Sequence, residues 1–272
     1  MSRHDLTDES WNAIRHLLPA CSNGQKGRDW NDHRPIINGI IWILQTGSPW
    51  RDLPVEFGKW KTTYNRFRRW VNEGLWDKIF QHLLRKLDVL GNVDRTVWCV
   101  DGSVIRAHRV ASGMTTAGDE NDEIHALGRS RGGYSTKLHV MTDGQGTLLS
   151  VTATPGQRHE SQEFENLFEQ CALSVHFYRN RPEAVAGDRA YSAKAIRESI
   201  THRYIEPVIS ERKNETADAP FDRACYRRRN VVERLIGWLK ESRRVATRYD
   251  KLAASYLAFV KLAAIRRMLR TI

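Results

Sequence analysis

Apolar residues in the first ninety positions recur at the three- and four-residue spacing of amphipathic helices. The clearest run, Ile36 to Leu44, follows a proline that a helix start tolerates and stops before Gly47. Asp5 or Thr7 could cap the first helix, and Pro19 ends it. The pattern predicts four helices, at residues 5–18, 35–47, 59–71 and 75–90, with a polar loop over residues 21–32.

From about residue 93 the helical spacing gives way to short β-branched runs, which are typical of strands. Residues 96–105 form the first and read as a buried central strand. Residues 134–142 and 147–154 flank Asp143-Gly-Gln-Gly146, a sequence typical of a hairpin turn. A polar, Gly-rich loop is expected over residues 107–132. The later elements are expected to be helices at 160–171, 193–201, 226–240 and 252–269, and strands at 184–186 and 205–209.

The order of these elements predicts the architecture. Antiparallel strands come first, and strands and helices alternate afterwards, which is the sequence order of a ribonuclease-H-like layer. We therefore predict an α/β protein in which an all-α, helix-turn-helix-like domain at residues 1–92 precedes a ribonuclease-H-like domain at residues 93–272.

The charge of the chain indicates what kind of partner it binds. Lys and Arg number 43 against 32 Asp and Glu, which gives a formal charge of +11. The surplus is concentrated in residues 51–70 and 223–248. Such clustering favours a polyanionic partner, most simply nucleic acid.

Two further features of the sequence bear on the setting of the chain. The four cysteines form no C-x2-C pair, so neither a disulfide framework nor a zinc ribbon is indicated. No apolar run approaches 18 residues, and the N-terminus lacks the apolar core of a signal peptide. We expect a soluble cytoplasmic protein that has no membrane partner and associates with the nucleoid when it is bound to DNA.

The third predicted helix is basic and aromatic. Its cations Lys61, Arg66 and Arg69 are candidates for DNA contacts, because a basic helix that follows an apolar one resembles a helix-turn-helix reader. The alternative is an ordinary amphipathic helix whose cationic face is solvated and whose aromatic residues pack inward.

Three acids stand where a ribonuclease-H-like fold would gather them. Asp101 lies within the first strand, Asp188 follows the strand at 184–186, and Glu233 lies on a later helix. A lone Asp in a buried strand is costly unless a partner or a metal compensates its charge. Carboxylates suit Mg²⁺, and phosphodiester transfer suits two such ions. The alternative is that Asp101 and Asp188 are hydrogen-bonded strand-end and turn residues.

The segment Tyr226–Lys240 presents two distinct faces if it is one helix. Tyr226, Arg229, Glu233 and Lys240 fall within an arc of about 60°, and aliphatic residues occupy the opposite side. Gly237 lies on the polar face and suggests that something large approaches there. A solvated surface with an Arg229–Glu233 pair is the alternative.

This spacing, Y-x2-R-x3-E-x6-K, resembles the signature around the last acidic residue of bacterial insertion-sequence transposases of the DDE class. Other segments also resemble these enzymes, and together they cover nearly the whole chain: GSPWRDLP, VDGSVIRAHR, TPGQRHE, GDRAYSA and RRVATRYDKLAASY. The resemblance implies that Asp101, Asp188 and Glu233 are catalytic and bind Mg²⁺, for which Mn²⁺ can substitute. It also implies that Tyr226, Arg229 and Lys240 contact the transposon end.

The resemblance further implies double-stranded DNA partners, both transposon ends and target, and a homodimer on DNA. The expected chemistry is cleavage at the ends and joining of 3′-hydroxyls to target DNA by a two-metal mechanism. Two alternatives remain open, a transposase-derived DNA-binding regulator and a Mg²⁺-dependent nuclease without strand transfer.

Four histidines and one lysine are weaker candidates. His108 could aid the site or only pack, His159 could be only a helix cap, and His125 is expected in a solvated loop. Lys137 and His139 are expected on opposite faces of their strand, so that at most one of them faces the site.

Overall fold

A computed structural model describes residues 5–20, 32–112, 125–130, 132–173, 181–211 and 221–272. Much of the predicted loops at 21–32 and 107–132 lies outside these ranges. Within them, no helix has the length and apolar character needed to cross a membrane.

Four helices form the N-terminal part, as predicted: α1 (Asp8–Ile14), α2 (His33–Thr46), α3 (Trp60–Asn72) and α4 (Leu75–Val89). The Thr7 hydroxyl caps α1 by accepting from the Ser10 backbone N–H. Gly47 ends α2 in the left-handed conformation that glycine adopts without steric cost. The caps that the sequence indicated are therefore the ones the structure uses, although α1 is shorter than predicted and continues as a 3₁₀ turn at Arg15–Leu17.

A mixed sheet follows, with seven strands in the described part of the chain. Its strands are β1 (Val97–Ala107), β2 (Gly128–Ser130), β3 (Gly133–Thr142), β4 (Leu148–Pro155), β5 (Ala184–Gly187), β6 (Glu206–Ile209) and β7 (Thr247–Arg248). The long strands β1 and β3 pair antiparallel, as do β3 and β4. Strands β5 and β6 add in parallel on the other side of β1. The predicted hairpin and strands are confirmed, and the short strands β2 and β7 were not foreseen.

The strand order β4-β3-β1-β5-β6 is that of a ribonuclease-H-like sheet, with β1 at its centre. Three antiparallel strands are followed by two parallel ones, which is the arrangement that the order of elements predicted. The fold class is therefore confirmed.

The remaining helices are α5 (Phe164–Glu169), α6 (Lys194–His202), α7 (Arg223–Arg227), α8 (Asn230–Lys240), α9 (Arg243–Ala246) and α10 (Ala253–Met268). The prediction of one helix over 226–240 is wrong in one respect. Tight turns at Arg228 and Arg229, with backbone bonds from each N–H to the carbonyl three residues back, separate α7 from α8. The predicted helix at 160–171 likewise begins as a 3₁₀ turn, Glu160–Glu163.

The last helix joins the two parts of the molecule. Helix α10 packs against α4, and the ring of Phe259 stacks on Phe67 of α3 with centroids 4.6 Å apart. Lys261 on α10 also forms an ion pair with Asp77 on α4. One hydrophobic core runs from the N-terminal helices through the sheet. The division at residues 92 and 93 stays a prediction.

Candidate active site

Strand β1 has an open stretch on its β5 side. It pairs with β5 only over residues 97–99 and with β7 only at residues 106–107, and no described strand covers the residues between on that edge. Asp101 lies in this gap with its side chain mostly buried. The backbone N–H of Gly102 donates to its carboxylate at 2.9 Å.

Asp188 reaches the same gap from the end of β5. It begins a 3₁₀ turn, and one of its carboxylate oxygens accepts from the Ala190 backbone N–H at 2.8 Å. Because β5 runs parallel to β1 and ends at Gly187, the residue that follows it lies beside Asp101. The sequence analysis placed these two acids together, and the structure brings them together.

A third acid completes the cluster, and it is not the one that the sequence indicated. Oxygens of Asp101, Asp188 and Glu160 all lie within 4.8 Å of one another. Glu160 comes from the turn that follows β4. The segment TPGQRHE, which ends in this residue, was noted in the sequence, but the acid itself was not singled out as a site residue.

Gly102 makes room for Glu160. A Cβ at position 102 would lie 2.8 Å from the Cδ of Glu160, which is closer than packed atoms approach. The Nζ of Lys137, on β3, lies 3.2 Å from Glu160 Oε1, and both side chains are largely buried. Glu160 is thus held between the backbone of β1 and a cation on β3.

Glu233 lies next to the cluster but does not belong to it. Its side chain is 53% exposed. The Arg229 guanidinium stands between the two carboxylates, with Nη1 3.0 Å from Asp101 Oδ2 and Nη2 2.6 Å from Glu233 Oε1. The prediction that Glu233 is a metal ligand therefore stays a prediction, with a cation between it and Asp101 in this state.

The other two signature residues flank this arrangement. Lys240, at the end of α8, donates from Nζ to the Ser103 hydroxyl at 2.8 Å. Tyr226 is half-buried, its ring lies against the Arg229 guanidinium, and its hydroxyl donates to Ser210 at 3.3 Å. Despite the turn between α7 and α8, Arg229 and Lys240 both contact the open edge of β1, and Tyr226 lies beside Arg229.

Burial governs the electrostatics of the site. It raises the pKa of Asp101 above its ordinary value, and the nearby charge of Asp188 acts in the same direction. Arg229 and the Gly102 N–H offset only part of this effect. The ionised form of Asp101 is therefore destabilised, and a cation bound beside it would offset this destabilisation.

A buried phenol faces the same carboxylates. Tyr191 is fully buried, and its hydroxyl has no hydrogen-bond partner among the described residues. Burial and the charges of Glu160, Asp101 and Asp188 raise its pKa well above the ordinary value, so the hydroxyl keeps its proton. An unpaired buried donor is costly, so a hydrogen-bond acceptor placed near this hydroxyl would be stabilising.

The basic helix α3 divides its predicted DNA-binding residues. Lys61 and Arg69 are exposed. Arg66 is buried instead: its guanidinium contacts His33 Nδ1 at 2.7 Å and lies against the Trp70 ring. The expectation that Arg66 reaches DNA is therefore corrected, because its charge is used inside the helical part.

The weaker candidates also find their places. Lys137 and His139 share a face of β3, since side chains two positions apart on a strand point the same way, and the expectation of opposite faces was wrong. His139 is buried and its Nε2 lies 2.8 Å from the Thr154 hydroxyl. His108 and His159 cap 3₁₀ turns. The expectation that His125 lies in a solvated loop was wrong, because the residue is buried and its Nδ1 lies 3.3 Å from the Lys251 carbonyl.

A ribonuclease-H-like sheet with carboxylates clustered at its central strand is typical of enzymes whose acidic side chains act in reactions of phosphodiester bonds. The chain belongs to the transposase DDE domain family, whose model matches residues 93–268, and it is a DDE transposase of the bacterial insertion-sequence type. Residues 6–80 match a second model, described as a putative transposase of the IS4/5 family.

Individual relatives agree with this assignment. A putative transposase for insertion sequence element IS402 of Burkholderia cepacia is 32% identical over 131 residues, which is 47% of this chain and 59% of that protein. An uncharacterized 16.2 kDa protein of the same element is 37% identical over 39% of this chain and 76% of its own length. A putative transposase for element IS6501 of Brucella ovis is 28% identical over 50% of this chain and 99% of its length.

Among solved structures, the Mos1 transposase paired-end complex with left transposon end matches with a TM-score of 0.28 and 13% identity. The match covers 78% of this chain and 79% of that one. So low a score supports no conclusion, and the fold assignment rests on the strand order.

Proposed function

We propose that this transposase binds the ends of its element, cleaves DNA phosphodiesters there and joins the 3′-hydroxyls to target DNA with divalent metal ions. The observation that carries the proposal is the placement of acids and cations at the open edge of β1. Asp101, Asp188 and Glu160 converge there, and Arg229 and Lys240 of the α8 region face the same edge.

The donor set fits the metal that this family implies. Carboxylate oxygens are the ligands that Mg²⁺ and Mn²⁺ take, and burial of Asp101 favours a cation beside it. Asp101 and Asp188 would hold the ions, and Glu233 would complete the set from α8. When bound, two divalent ions activate an attacking oxygen and neutralise charge on the phosphate and leaving group.

We expect Arg229 to change partners when the site is filled. Here its guanidinium neutralises Asp101 and Glu233 together. Cations at the carboxylates would remove its partners, and a DNA phosphate offers the bidentate acceptor geometry that Arg prefers. We expect Arg229 to exchange carboxylates for phosphate as metal and DNA bind, which frees Glu233 to turn inward.

The remaining contacts set the path of the DNA. Lys240 and Tyr226 would hold the backbone near the cut, by charge and by stacking or hydrogen bonding. Lys61 and Arg69, exposed on α3, would hold duplex DNA farther from the chemistry. Two ends must be held together for joining, so the active form would be a homodimer on DNA.

The test compares end cleavage by the wild type and by Glu233→Gln, which keeps the size of the side chain and removes its charge. The substrate is duplex DNA carrying the ends that flank this gene, with Mg²⁺ or Mn²⁺. Loss of one ligand charge costs several kcal/mol of transition-state stabilisation, so cleavage should fall at least ~100-fold while binding persists. Glu241→Gln, exposed at the end of the same helix, is the matched control and should cleave normally.

The outcomes separate the candidate functions. Cleavage that depends on Glu233, together with transfer of a labelled 3′ end into a second duplex, supports the transposase mechanism. Cleavage without joining supports a nuclease. Specific binding with no cleavage by the wild type in either metal would reject the enzymatic proposal and leave the DNA-binding regulator.

A further inference from the structure

The cluster contains a carboxylate that the family signature does not supply. We propose that Glu160 is a ligand of the catalytic metal in this chain, and that the buried Tyr191 hydroxyl supports the filled site by hydrogen bonding. The inference rests on the proposed metal-dependent function and specifies which side chains of this chain hold the ion.

Position is the first argument for Glu160. Its carboxylate shares a 4.8 Å sphere with those of Asp101 and Asp188, which no oxygen of Glu233 enters. Three carboxylates brought this close repel one another, and a divalent cation at their centre would turn this repulsion into attraction. Both Asp101 and Glu160 have side chains only about one-sixth exposed, so solvent screens their charges little.

The residues around Glu160 accommodate its side chain specifically. Gly102 is the residue of β1 over which Glu160 lies, and any side chain there would collide with it. Lys137 on β3 pairs with Oε1 of this carboxylate, and because a carboxylate has two oxygens it can bind an ion at the same time. A surface glutamate needs neither a glycine beneath it nor a buried lysine.

Tyr191 is the independent observation. It belongs to the turn that begins at Asp188, it is completely buried, and its hydroxyl lacks a partner within the described part of the chain. The three acids of the cluster act on this hydroxyl electrostatically, so it lies within their field. A buried phenol near these acids can donate to a ligand oxygen once the site is filled, and such supporting contacts typically change metal affinity by ~10–100-fold.

The experiment is Mn²⁺ binding to the full chain, measured by the loss of the free-ion electron paramagnetic resonance signal and by the thermal shift that Mn²⁺ produces. Glu160→Gln keeps the size of the side chain and removes its charge, and should weaken Mn²⁺ at least ~10-fold and remove most of the thermal shift. Tyr191→Phe removes only the hydroxyl and should weaken binding measurably. Glu165→Gln, on the adjoining helix and paired with Arg203, is the matched control and should bind as wild type does.

A second variant protects the test against a folding defect. Gly102→Ala changes none of the three acids but displaces the side chain of Glu160, so it should also weaken Mn²⁺ binding. Circular dichroism without metal verifies that each variant is folded.

The results distinguish this inference from the proposed function. Normal Mn²⁺ binding by Glu160→Gln, with loss in Asp188→Asn, would overturn the role of Glu160 and leave the transposase mechanism intact. Binding that depends on Glu160 in a protein that cleaves no DNA would reject the proposed function and keep the site. Absence of Mn²⁺ binding by the wild type, with and without end DNA, would overturn the inference.

Discussion

His139 lies in the interior of the sheet as a neutral residue. It is completely buried on β3, and burial, with some help from Lys137 and Arg158, lowers its pKa from 6.5 to about 4. Its Nδ1 has no hydrogen-bond partner among the described residues, so nothing is available to stabilise a second proton. The fold therefore favours the neutral ring.

The free energy of unfolding should depend on pH through the ionisation of this histidine. Because the folded-state pKa of His139 is below the unfolded one, the stability that the neutral ring contributes is fully present above about pH 6.5. It is lost as the pH falls toward 4. The shift corresponds to about 3 kcal/mol of unfolding free energy, to order of magnitude. Urea unfolding of wild type and His139→Gln at pH 7.5 and 4.5 tests this, since other groups cancel in the comparison. Parallel pH profiles for the two proteins would contradict it.

Single residues also show what the sequence could and could not predict about the site. Asp101 and Asp188 were predictable together, because the order of elements in a ribonuclease-H-like layer puts the strand that precedes Asp188 beside the central strand that carries Asp101. Glu160 was not, because it reaches the cluster by the path of the chain after the hairpin and across a glycine in another strand. Arg66 was misassigned because spacing on a helix does not reveal a buried acceptor such as His33.

At the scale of elements, helix α8 presents a glycine to open space. Gly237 lies in its interior, and a Cβ there would meet nothing within 4 Å. Glycine at this position costs helix stability relative to alanine, and it lies on the face that carries Glu233.

Replacing Gly237 with Ala should raise the free energy of unfolding by about 1 kcal/mol, which is the difference in helix propensity. If DNA approaches this face closely, the same change should weaken binding to end DNA. Urea unfolding and electrophoretic mobility shift measure the two effects. Higher stability with unchanged DNA affinity would mean that the close approach does not occur there.

The segment 226–240 shows where prediction by periodicity ends. The aliphatic face was correct, and Val231, Val232, Leu235 and Leu239 are buried as expected. The turns at Arg228 and Arg229 were not foreseen, and the side chains of both residues bind acids far away in the sequence. Arg228 pairs with Asp94, and Arg229 with Asp101. Helical periodicity contains no information about such tertiary ion pairs.

At the scale of the whole molecule, Phe259 connects the helical part to the sheet part. Its ring stacks on Phe67 and also contacts Trp50, and it is completely buried. The sequence predicted the helix that carries it but gave no sign of this partner.

Phe259→Ala should destabilise the protein by about 3–5 kcal/mol, as expected when a buried aromatic side chain is removed. Since the core is shared, tryptophan fluorescence and far-ultraviolet circular dichroism should follow one cooperative transition in wild type and variant alike. Ala254→Ser, exposed on the same helix, should change stability by less than about 0.5 kcal/mol. Two separate transitions in the wild type would show instead that the parts unfold independently.

The shared helix α10 also sets an order of events during synthesis. Helix α3 ends at Asn72, so the ribosome completes it long before it adds its partner Phe259. Until then the inner face of α3 lacks the ring that covers it, and the packing beneath the exposed residues Lys61 and Arg69 is incomplete. A translation product that stops before Phe259 would therefore keep the apolar face of α3 partly uncovered, and we expect it to aggregate instead of persisting as a smaller folded protein.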